Sequence, residues 1–389
     1  MRGIRVGSAF GIPIKLNWSF LIVLPLFAVF IAVDIDQLVV LINEILGSDL
    51  SDAALTEGSL PWILGFASAL GLFVGVLLHE FGHSLVAMRY GYAIDSITLW
   101  LLGGMASFTE FPEDWRHELW ISIAGPVVSV LIGVACYLAF LALPASATPV
   151  LFVLGYLTIL NVVLAVFNLL PAFPMDGGRI LRALLARKRS HAQATQQAAE
   201  VGKFFAFLLG IIGLFANWFL ILLAFFIYIA ASSEAQQTTL KASFEGVSVG
   251  DVMTAREDLR TVSSDRSVSD LLDQMLEQRH VGYPVVDNGR LVGMVTLDDA
   301  SDVNPVERDA YRVDDVMTRE VETVTPDVEA MDAFQRMQQR GVGRLPVVDE
   351  TGEIVGIVSR TDLMRAFNIL QARGPAPSET ASMTESWSR

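Results

Sequence analysis

The chain has 389 residues, of which 53% are hydrophobic and 18% are charged, and its formal net charge is −15. The acidic balance argues against nucleic acid as a partner, and the single cysteine excludes a disulfide within one chain. Nearly all long apolar runs precede residue 232 and most charged residues follow it, which predicts an integral membrane domain joined to a soluble domain.

The apolar half predicts a polytopic α-helical membrane domain with about six transmembrane segments and a short membrane-associated β element. Residues 1–16 are basic and contain glycine, which is typical of a strand or turn at the membrane surface. The alternating, glycine-containing run over 94–108 indicates short strands or a re-entrant hairpin. Apolar runs that predict spans lie at 19–33, 62–90, 119–143 and 150–170.

A further apolar run at 204–231 is interrupted by Asn217-Trp218, which predicts a hairpin of two short helices of 13 or 14 residues each. The preceding segment Arg179–Arg189 is strongly basic and is expected in the cytosol. The expected protein is therefore a multi-pass protein of the cell membrane whose N-terminus and soluble half lie in the cytoplasm.

The second predicted span contains His79-Glu80-Phe81-Gly82-His83. On a helix, the two histidines project from one face one turn apart, so both imidazoles can reach one Zn²⁺. Glu80 lies beside them, where its carboxylate can take a proton from the attacking water. Two packed histidines with a snorkelling glutamate are the alternative, but ionisable groups at membrane depth are costly and usually functional.

A third ligand is expected after the fourth span, in Asn168-Leu169-Leu170-Pro171-Ala172-Phe173-Pro174-Met175-Asp176-Gly177-Gly178. A tetrahedral zinc that also holds a water needs three protein ligands, and two histidines leave it one short. The prolines break the helix, and the glycines after Asp176 let the backbone turn tightly. Asp176 is the candidate because it is expected at the same cytosolic level as His83, although Asp-Gly after a span is also typical of a solvated turn.

These two motifs resemble those of the site-2 protease family of intramembrane zinc metalloproteases. The resemblance implies one Zn²⁺ per chain, bound by His79, His83 and Asp176, with Glu80 as general base and then general acid. The implied reaction is hydrolysis of a peptide bond within or near a transmembrane segment of a membrane-anchored protein substrate, as in regulated intramembrane proteolysis.

The resemblance also implies residues that bind the substrate. Gly103-Gly104 is similar to the glycine-containing, membrane-inserted strand of the family, and small side chains there allow an unwound substrate strand to pair with it. Asn168 would hold the substrate backbone or the developing oxyanion, so it is both a catalytic and a substrate-binding candidate. A helix–helix hydrogen bond is the other interpretation of Asn168.

The soluble half repeats itself with an offset of 62 to 64 residues. Asp251-Val252-Met253-Thr254 returns as Asp315-Val316-Met317-Thr318, and each copy contains an amphipathic helix followed by two short strands. The predicted organisation is a membrane metalloprotease domain over 1–232, a polar linker over 233–248, repeats over 249–302 and 303–370, and a disordered tail over 371–389.

The repeat resembles a tandem pair of cystathionine-β-synthase (CBS) domains, an α/β fold. The resemblance implies that four side chains bind the hydroxyl groups of an adenine nucleotide, namely Thr296, Asp299, Ser359 and Asp362. A spacer or dimerisation module without a nucleotide stays open, and such pairs make a homodimer through the CBS domains plausible. A CBS-gated membrane transporter or channel is the alternative for the whole chain, and stoichiometric zinc discriminates between the two functions.

Overall fold

The computed structural model of the chain describes residues 3–100, 103–108, 112 and 114–373. The chain divides into two units, Met1–Thr238 and Thr239–Arg389. The first unit contains the long apolar helices, and the second contains both copies of the repeat.

The first unit begins with two strands and continues as helices, with a second pair of strands between the third and the fourth helix. In chain order its elements are β1 (Gly3–Ala9), β2 (Ile12–Asn17), α1 (Trp18–Val33), α2 (Ile35–Leu46), α3 (Leu60–Arg89), β3 (Ile94–Trp100), β4 (Gly103–Phe108), α4 (Trp115–Ala142), α5 (Thr148–Asn168), α6 (Asp176–Ala186), α7 (His191–Phe215) and α8 (Trp218–Ser243). The C-terminal end of α8 extends past Thr238 into the second unit.

Among the described residues, α3, α4, α5, α7 and α8 are long and apolar enough to cross a membrane. Helices α1 and α2 meet at a bend of 75°, and together they count as a sixth candidate span. Asn17 starts α1, since its side chain accepts a hydrogen bond from the backbone N–H of Ser19. The expected polytopic helical domain with about six segments is confirmed.

The four strands of the first unit form one sheet in the order β1-β2-β3-β4. β2 and β3 run parallel, and the other two neighbouring pairs are antiparallel. Ile12, Phe81 and Ile97 form a small buried cluster that holds the sheet against α3. The short β element expected within 94–108 is therefore present as β3 and β4, and the residues between them lie outside the described part of the chain.

The hairpin expected at 204–231 is formed by α7 and α8, which are separated at Ala216-Asn217. Its helices have 25 and 26 residues, so the expected lengths of 13 or 14 residues were wrong. Helix α7 begins in polar sequence behind the cap residue Ser190, and α8 continues through 233–243, the first part of the expected linker. Hydropathy shows only the apolar middle of each helix, and the Ala- and Gln-rich flanks sustain the helix beyond it.

The second unit contains two similar halves, each with a helix followed by a two-stranded hairpin and a further helix. Its elements are α9 (Val249–Val252), β5 (Thr254–Ala255), α10 (Val268–Gln278), β6 (Gly282–Asp287), β7 (Arg290–Thr296), α11 (Leu297–Ser301), α12 (Val313–Val316), α13 (Ala330–Arg340), β8 (Arg344–Val348), β9 (Ile354–Ser359) and α14 (Arg360–Arg373). The tail expected from residue 371 is helical to Arg373, and 374–389 lie outside the described residues.

The periodic apolar residues of α10 and α13 pack on the hairpins of their own halves and form two separate buried cores. Ser267 caps α10 by accepting a hydrogen bond from the N–H of Asp270. The hairpin between β6 and β7 turns at Asn288-Gly289, both with positive φ, which matches the sequence preference of such turns. The α/β character of the tandem repeat is confirmed.

Candidate metal centre

Three buried side chains from two helices meet in the first unit: His79 and His83 from α3, and Asp176 from the first turn of α6. The Nε2 atoms of the two histidines lie 3.1 Å apart. Asp176 Oδ2 lies 3.2 Å from each of these nitrogens. Spacing along α3 accounts for the histidine pair, whereas the aspartate arrives from a separate part of the chain.

The other ring nitrogen of each histidine contacts α4. His83 Nδ1 lies 2.7 Å from the carbonyl oxygen of Ile121, which can only accept, so Nδ1 carries the proton and Nε2 presents its lone pair. His79 Nδ1 lies 2.8 Å from Ser129 Oγ, which can accept in the same way. Such outer contacts orient an imidazole for a metal at its inner nitrogen.

With both rings neutral and Ser129 accepting from His79, the three inner atoms are two lone-pair nitrogens and a carboxylate oxygen. Asp176 Oδ2 is buried and has no hydrogen-bond donor among the described residues. Tetrahedral zinc with bonds of about 2.0–2.2 Å separates neighbouring ligand atoms by about 3.3 Å, and the atoms here are 3.1–3.2 Å apart. This donor set and spacing fit one Zn²⁺ and leave a fourth position for water or substrate.

Gly125 of α4 faces this cluster, and its lack of a side chain lets the imidazoles approach α4 closely. A Cβ atom at Gly125 would overlap the imidazole of His83 and would lie 2.7 Å from His79 Nε2. Sequence reasoning missed the contribution of α4, namely Ile121, Gly125 and Ser129. The Gly125-Pro126 pair inside a predicted span was the available signal, since both residues are unusual in a regular helix.

The glycines after Asp176 do not form the tight turn that was expected, because they lie inside α6. A Cβ atom at Gly177 would overlap the carbonyl oxygens of Leu169 and Leu170. One at Gly178 would lie 2.7 Å from the carbonyl carbon of Ala172. The two glycines thus let the first turn of α6 press against the segment that follows α5, which carries Asp176 to the histidines.

Glu80 follows His79 on α3 and is half-buried against β4. A Cβ atom at Gly104 would overlap Glu80 Cγ and would lie 3.0 Å from Glu80 Oε1. Gly104 therefore provides the space that the glutamate side chain fills. Gly103, opposite Trp100 in the β3–β4 ladder, has a φ of 129° that favours glycine.

Asn168 is the last residue of α5 and is half-buried. Its Nδ2 donates to the carbonyl oxygen of Leu164, 3.0 Å away in the same helix. This bond is neither of the two that were expected for Asn168. The structure thus places the side chain near the end of the helix that leads to Asp176, without a contact to the histidine pair among the described hydrogen bonds.

In the second unit, each expected nucleotide-binding pair lies together at the start of a helix. Asp299 Oδ2 accepts from the N–H and the hydroxyl of Thr296, at 2.8 and 2.7 Å. Asp362 Oδ2 accepts from the N–H and the hydroxyl of Ser359, at 3.1 and 2.6 Å. In both pairs Oδ1 takes no part in these bonds and is left for another donor.

A cavity of about 400 Å³ adjoins the first of these pairs. It is lined by Asp299, Asp302, Val303, Asn304, Glu307, Tyr311 and Val316.

Arg344 is the first residue of β8, and its guanidinium donates a hydrogen bond to the carbonyl oxygen of Gly282, 2.6 Å away. Burial is the largest influence on Arg344 and lowers the pKa of its guanidinium, while the nearby charge of Asp362 acts in the opposite direction.

Comparison with known proteins relates both units to characterised families. The model of peptidase family M50 matches residues 67–146 and 144–210, and the CBS domain model matches 249–303 and 313–369. The chain is 35% identical to Zinc metalloprotease MJ0392 of Methanocaldococcus jannaschii, over 95% of this chain and 97% of the relative. It is 30% identical to Putative zinc metalloprotease Rip3 of Mycobacterium tuberculosis, over 97% and 96%.

Among solved structures, a site-2 protease from Methanocaldococcus jannaschii is 35% identical and is matched over 60% of this chain and 95% of that chain, with a TM-score of 0.40. Both sequence relatives named above extend over nearly the whole chain, so they share its membrane half and its repeats.

Proposed function

The chain belongs to peptidase family M50, the site-2 protease family of zinc metalloproteases, and on that premise we propose that it cleaves a peptide bond within or near a transmembrane segment of a membrane-anchored substrate. The observation that carries the proposal is the convergence of two lone-pair imidazole nitrogens and a buried carboxylate oxygen within 3.2 Å of one another. Both histidines lie on α3, one of the helices long and apolar enough to cross a membrane, and this directs the chemistry to the membrane.

His79, His83 and Asp176 would hold one Zn²⁺ in this protease. The bound ion supplies a Lewis acid that polarises the scissile carbonyl and activates a water. Ile121 and Ser129 hold the outer nitrogens of the imidazoles, so that both rings keep their lone pairs directed inward. Gly125 leaves room for the inner edges of both imidazoles, which a side chain at this position would displace.

Glu80 is assigned as the proton carrier of the reaction. Its carboxylate takes a proton from the water as the oxygen attacks the peptide carbon, and it gives the proton to the leaving nitrogen as the C–N bond breaks. Gly104 allows the carboxylate to lie between α3 and the strand β4. The base and the substrate-binding strand are then neighbours.

The substrate is proposed to bind as an extended strand at β4. This strand ends the sheet in the order β1-β2-β3-β4, so its outer edge has backbone groups that no further described strand pairs. A helical substrate hides its carbonyls in internal hydrogen bonds and must unwind before attack, and edge pairing stabilises the unwound form. Asn168 is assigned to the substrate backbone or to the developing oxyanion.

The CBS pair is proposed to bind an adenine nucleotide and to regulate cleavage. Asp299 and Asp362 each keep one carboxylate oxygen outside their capping bonds, and such an oxygen can accept from a ribose hydroxyl. Thr296 and Ser359 set the position of the two carboxylates. We also propose that the CBS units pair into a homodimer and lie in the cytoplasm with the N-terminus.

The proposal is tested by zinc analysis of the purified full chain together with cleavage of single-span membrane peptides. One zinc per chain is expected, and His79→Ala and Asp176→Ala should lose it. His117→Ala is the matched control, because this histidine of α4 contacts Tyr92 instead of the cluster. A wild-type chain that holds no zinc would contradict the proposal and would favour a transporter or channel.

Glu80→Gln separates the base from the metal ligands. The amide keeps the shape of the side chain but cannot accept the proton, so zinc should stay while cleavage falls by about 10²–10⁴-fold. Glu44→Gln, an exposed substitution on α2, is the control for loss of a carboxylate. Undiminished cleavage by Glu80→Gln would show that another group carries the proton.

A further inference from the structure

A second cluster of charged side chains lies buried in the first unit, around Arg182 of α6. The side chain of Arg182 is only 7% exposed. Its Nε and Nη2 both donate to Glu118 Oε1 of α4, at 2.6 and 2.5 Å. Its Nη1 donates to Glu234 Oε1 of α8 at 2.6 Å, and the guanidinium lies over the ring of Phe173.

Each partner in this cluster lies close along the chain to a residue of the metal centre. Arg182 is on the same short helix as Asp176, which starts α6. Glu118 is one turn before Ile121, whose carbonyl oxygen accepts from His83 Nδ1. The ion pair between Arg182 and Glu118 therefore joins the helix of the third ligand to the helix that orients a histidine.

Stability alone does not account for such a cluster. Buried ion pairs contribute little compared with apolar residues of the same volume, because both partners lose their hydration. Here one guanidinium faces two carboxylates, and Glu118 Oε2 is buried without a hydrogen bond among the described residues, with His191 Nε2 at 3.9 Å. What the cluster supplies is geometry, since the planar guanidinium fixes the directions of both of its partners.

We propose that Glu118, Arg182 and Glu234 are positioning residues, which hold α6 against α4 so that Asp176 stays within reach of both histidines. The inference rests on the proposed zinc site. Glu234 adds α8 to the arrangement. Its side chain is 36% exposed, whereas those of Arg182 and Glu118 are 7% and 5% exposed, so Glu234 is the member most easily released.

Helix α8 gives this contact a regulatory meaning, because the same helix continues past Thr238, the last residue of the first unit, and ends at Ser243 in the second unit. A change that shifts or rotates α8 would pull Glu234 from Arg182 and leave the guanidinium with one carboxylate. The third ligand would then be less firmly placed. A movement of α8 should therefore lower the affinity of the metal centre for zinc.

The test measures the chelator concentration that removes half of the zinc from the purified full chain, together with thermal unfolding. Loss of an outer partner of a metal ligand typically weakens binding about 10–100-fold. Arg182 contacts Glu118 and Glu234 and acts on Asp176 through α6, so Arg182→Lys should reach the low end of that range, about tenfold, because an ammonium cannot span both carboxylates. Glu234→Gln should weaken zinc retention by about threefold, since the amide keeps the bond and loses the charge. Glu200→Gln, which removes a surface carboxylate paired with Lys203, is the control.

A triple variant, Glu118→Leu with Arg182→Met and Glu234→Leu, covers the case in which Arg182→Lys does not fold. The apolar set should preserve the melting temperature and still weaken zinc retention at least tenfold. Zinc retention within twofold of wild type in the folded variants would overturn the inference and leave the proposed protease intact. A wild-type chain without zinc would overturn both.

Discussion

Single hydrogen bonds decide what the two histidines can do. An imidazole can ligate a metal at Nε2 only if its proton is on Nδ1, and each Nδ1 here has an oxygen acceptor on α4. The acceptor for His83 is a backbone carbonyl, which no substitution removes. The acceptor for His79 is the hydroxyl of Ser129, which makes this serine the sensitive point.

Ser129→Ala tests this dependence. Without the hydroxyl, His79 loses the contact that orients its ring and its tautomer, and zinc affinity should fall by about tenfold. The control is Ser84→Ala, because Ser84 is also buried but its hydroxyl has no hydrogen-bond partner among the described residues. Zinc titration against a competing chelator measures the effect, and equal affinities for the two variants would contradict the role of Ser129.

Much of the candidate site could be predicted at the residue scale, because His79, Glu80 and His83 are placed by helix geometry alone. Asp176 could also be predicted, from its position after a predicted span. Ser129 was not, since the contact joins residues 50 positions apart and depends on how α3 and α4 pack. Partners from other helices carry no local pattern in the sequence.

At the scale of elements, the strand β4 and the helix α3 are fitted to each other at one glycine. Any side chain at Gly104 would occupy the space of the Glu80 side chain. Small residues in a strand often mark such a close approach. The glycine therefore makes room for the side chain of Glu80, the proposed base.

Gly104→Ala is expected to displace Glu80 and to reduce cleavage by about tenfold or more, because a misplaced general base loses its reach to the proton. Zinc content should be unchanged, since the ligands come from other positions. Met105→Ala is the control, because the neighbouring side chain is 37% exposed. Full activity of Gly104→Ala, measured with a single-span peptide, would be inconsistent with this fit.

In the second unit, the carboxylates proposed to bind a ribose lie in the first turns of α11 and α14. Asp299→Asn and Asp362→Asn keep the size of the side chain but replace a charged acceptor, which typically makes the stronger hydrogen bond. AMP binding to the full chain should weaken by about tenfold at the altered site. Asp298→Asn, next to Asp299 and exposed, is the control in calorimetry. Unaltered AMP affinity in both variants would contradict ribose binding by these carboxylates.

Elements were predictable where their pattern is local. The apolar runs located the membrane helices, and the repeat located the strand hairpins of the second unit. The polar ends of α7 and α8 were missed because hydropathy does not distinguish a polar helix from a polar linker. Gly177 and Gly178 were assigned to a turn because the sequence does not show that α6 packs closely against the Leu169–Ala172 segment.

At the scale of the whole molecule, the number of crossings relates the loop after α2 to the CBS pair. Five helices long enough to span lie between residue 59 and the end of α8. If all five cross the membrane, the odd number of crossings puts the two regions on opposite sides. The basic residues between α6 and α7 predict the direction, since Arg187, Lys188 and Arg189 favour the cytosol. Arg182 does not contribute, because it is buried in its ion pairs.

The single native cysteine makes this topology measurable in intact cells. In a Cys136→Ser chain, Ser51→Cys should react with a membrane-impermeant maleimide, whereas Ser301→Cys should react only after the membrane is opened. Both serines are exposed in the structure, so a difference in labelling reports the side of the membrane and not burial. The Cys136→Ser chain without a new cysteine gives the background. Labelling of Ser301→Cys in closed cells would place the CBS pair outside, and cytosolic nucleotides could then no longer be its ligand.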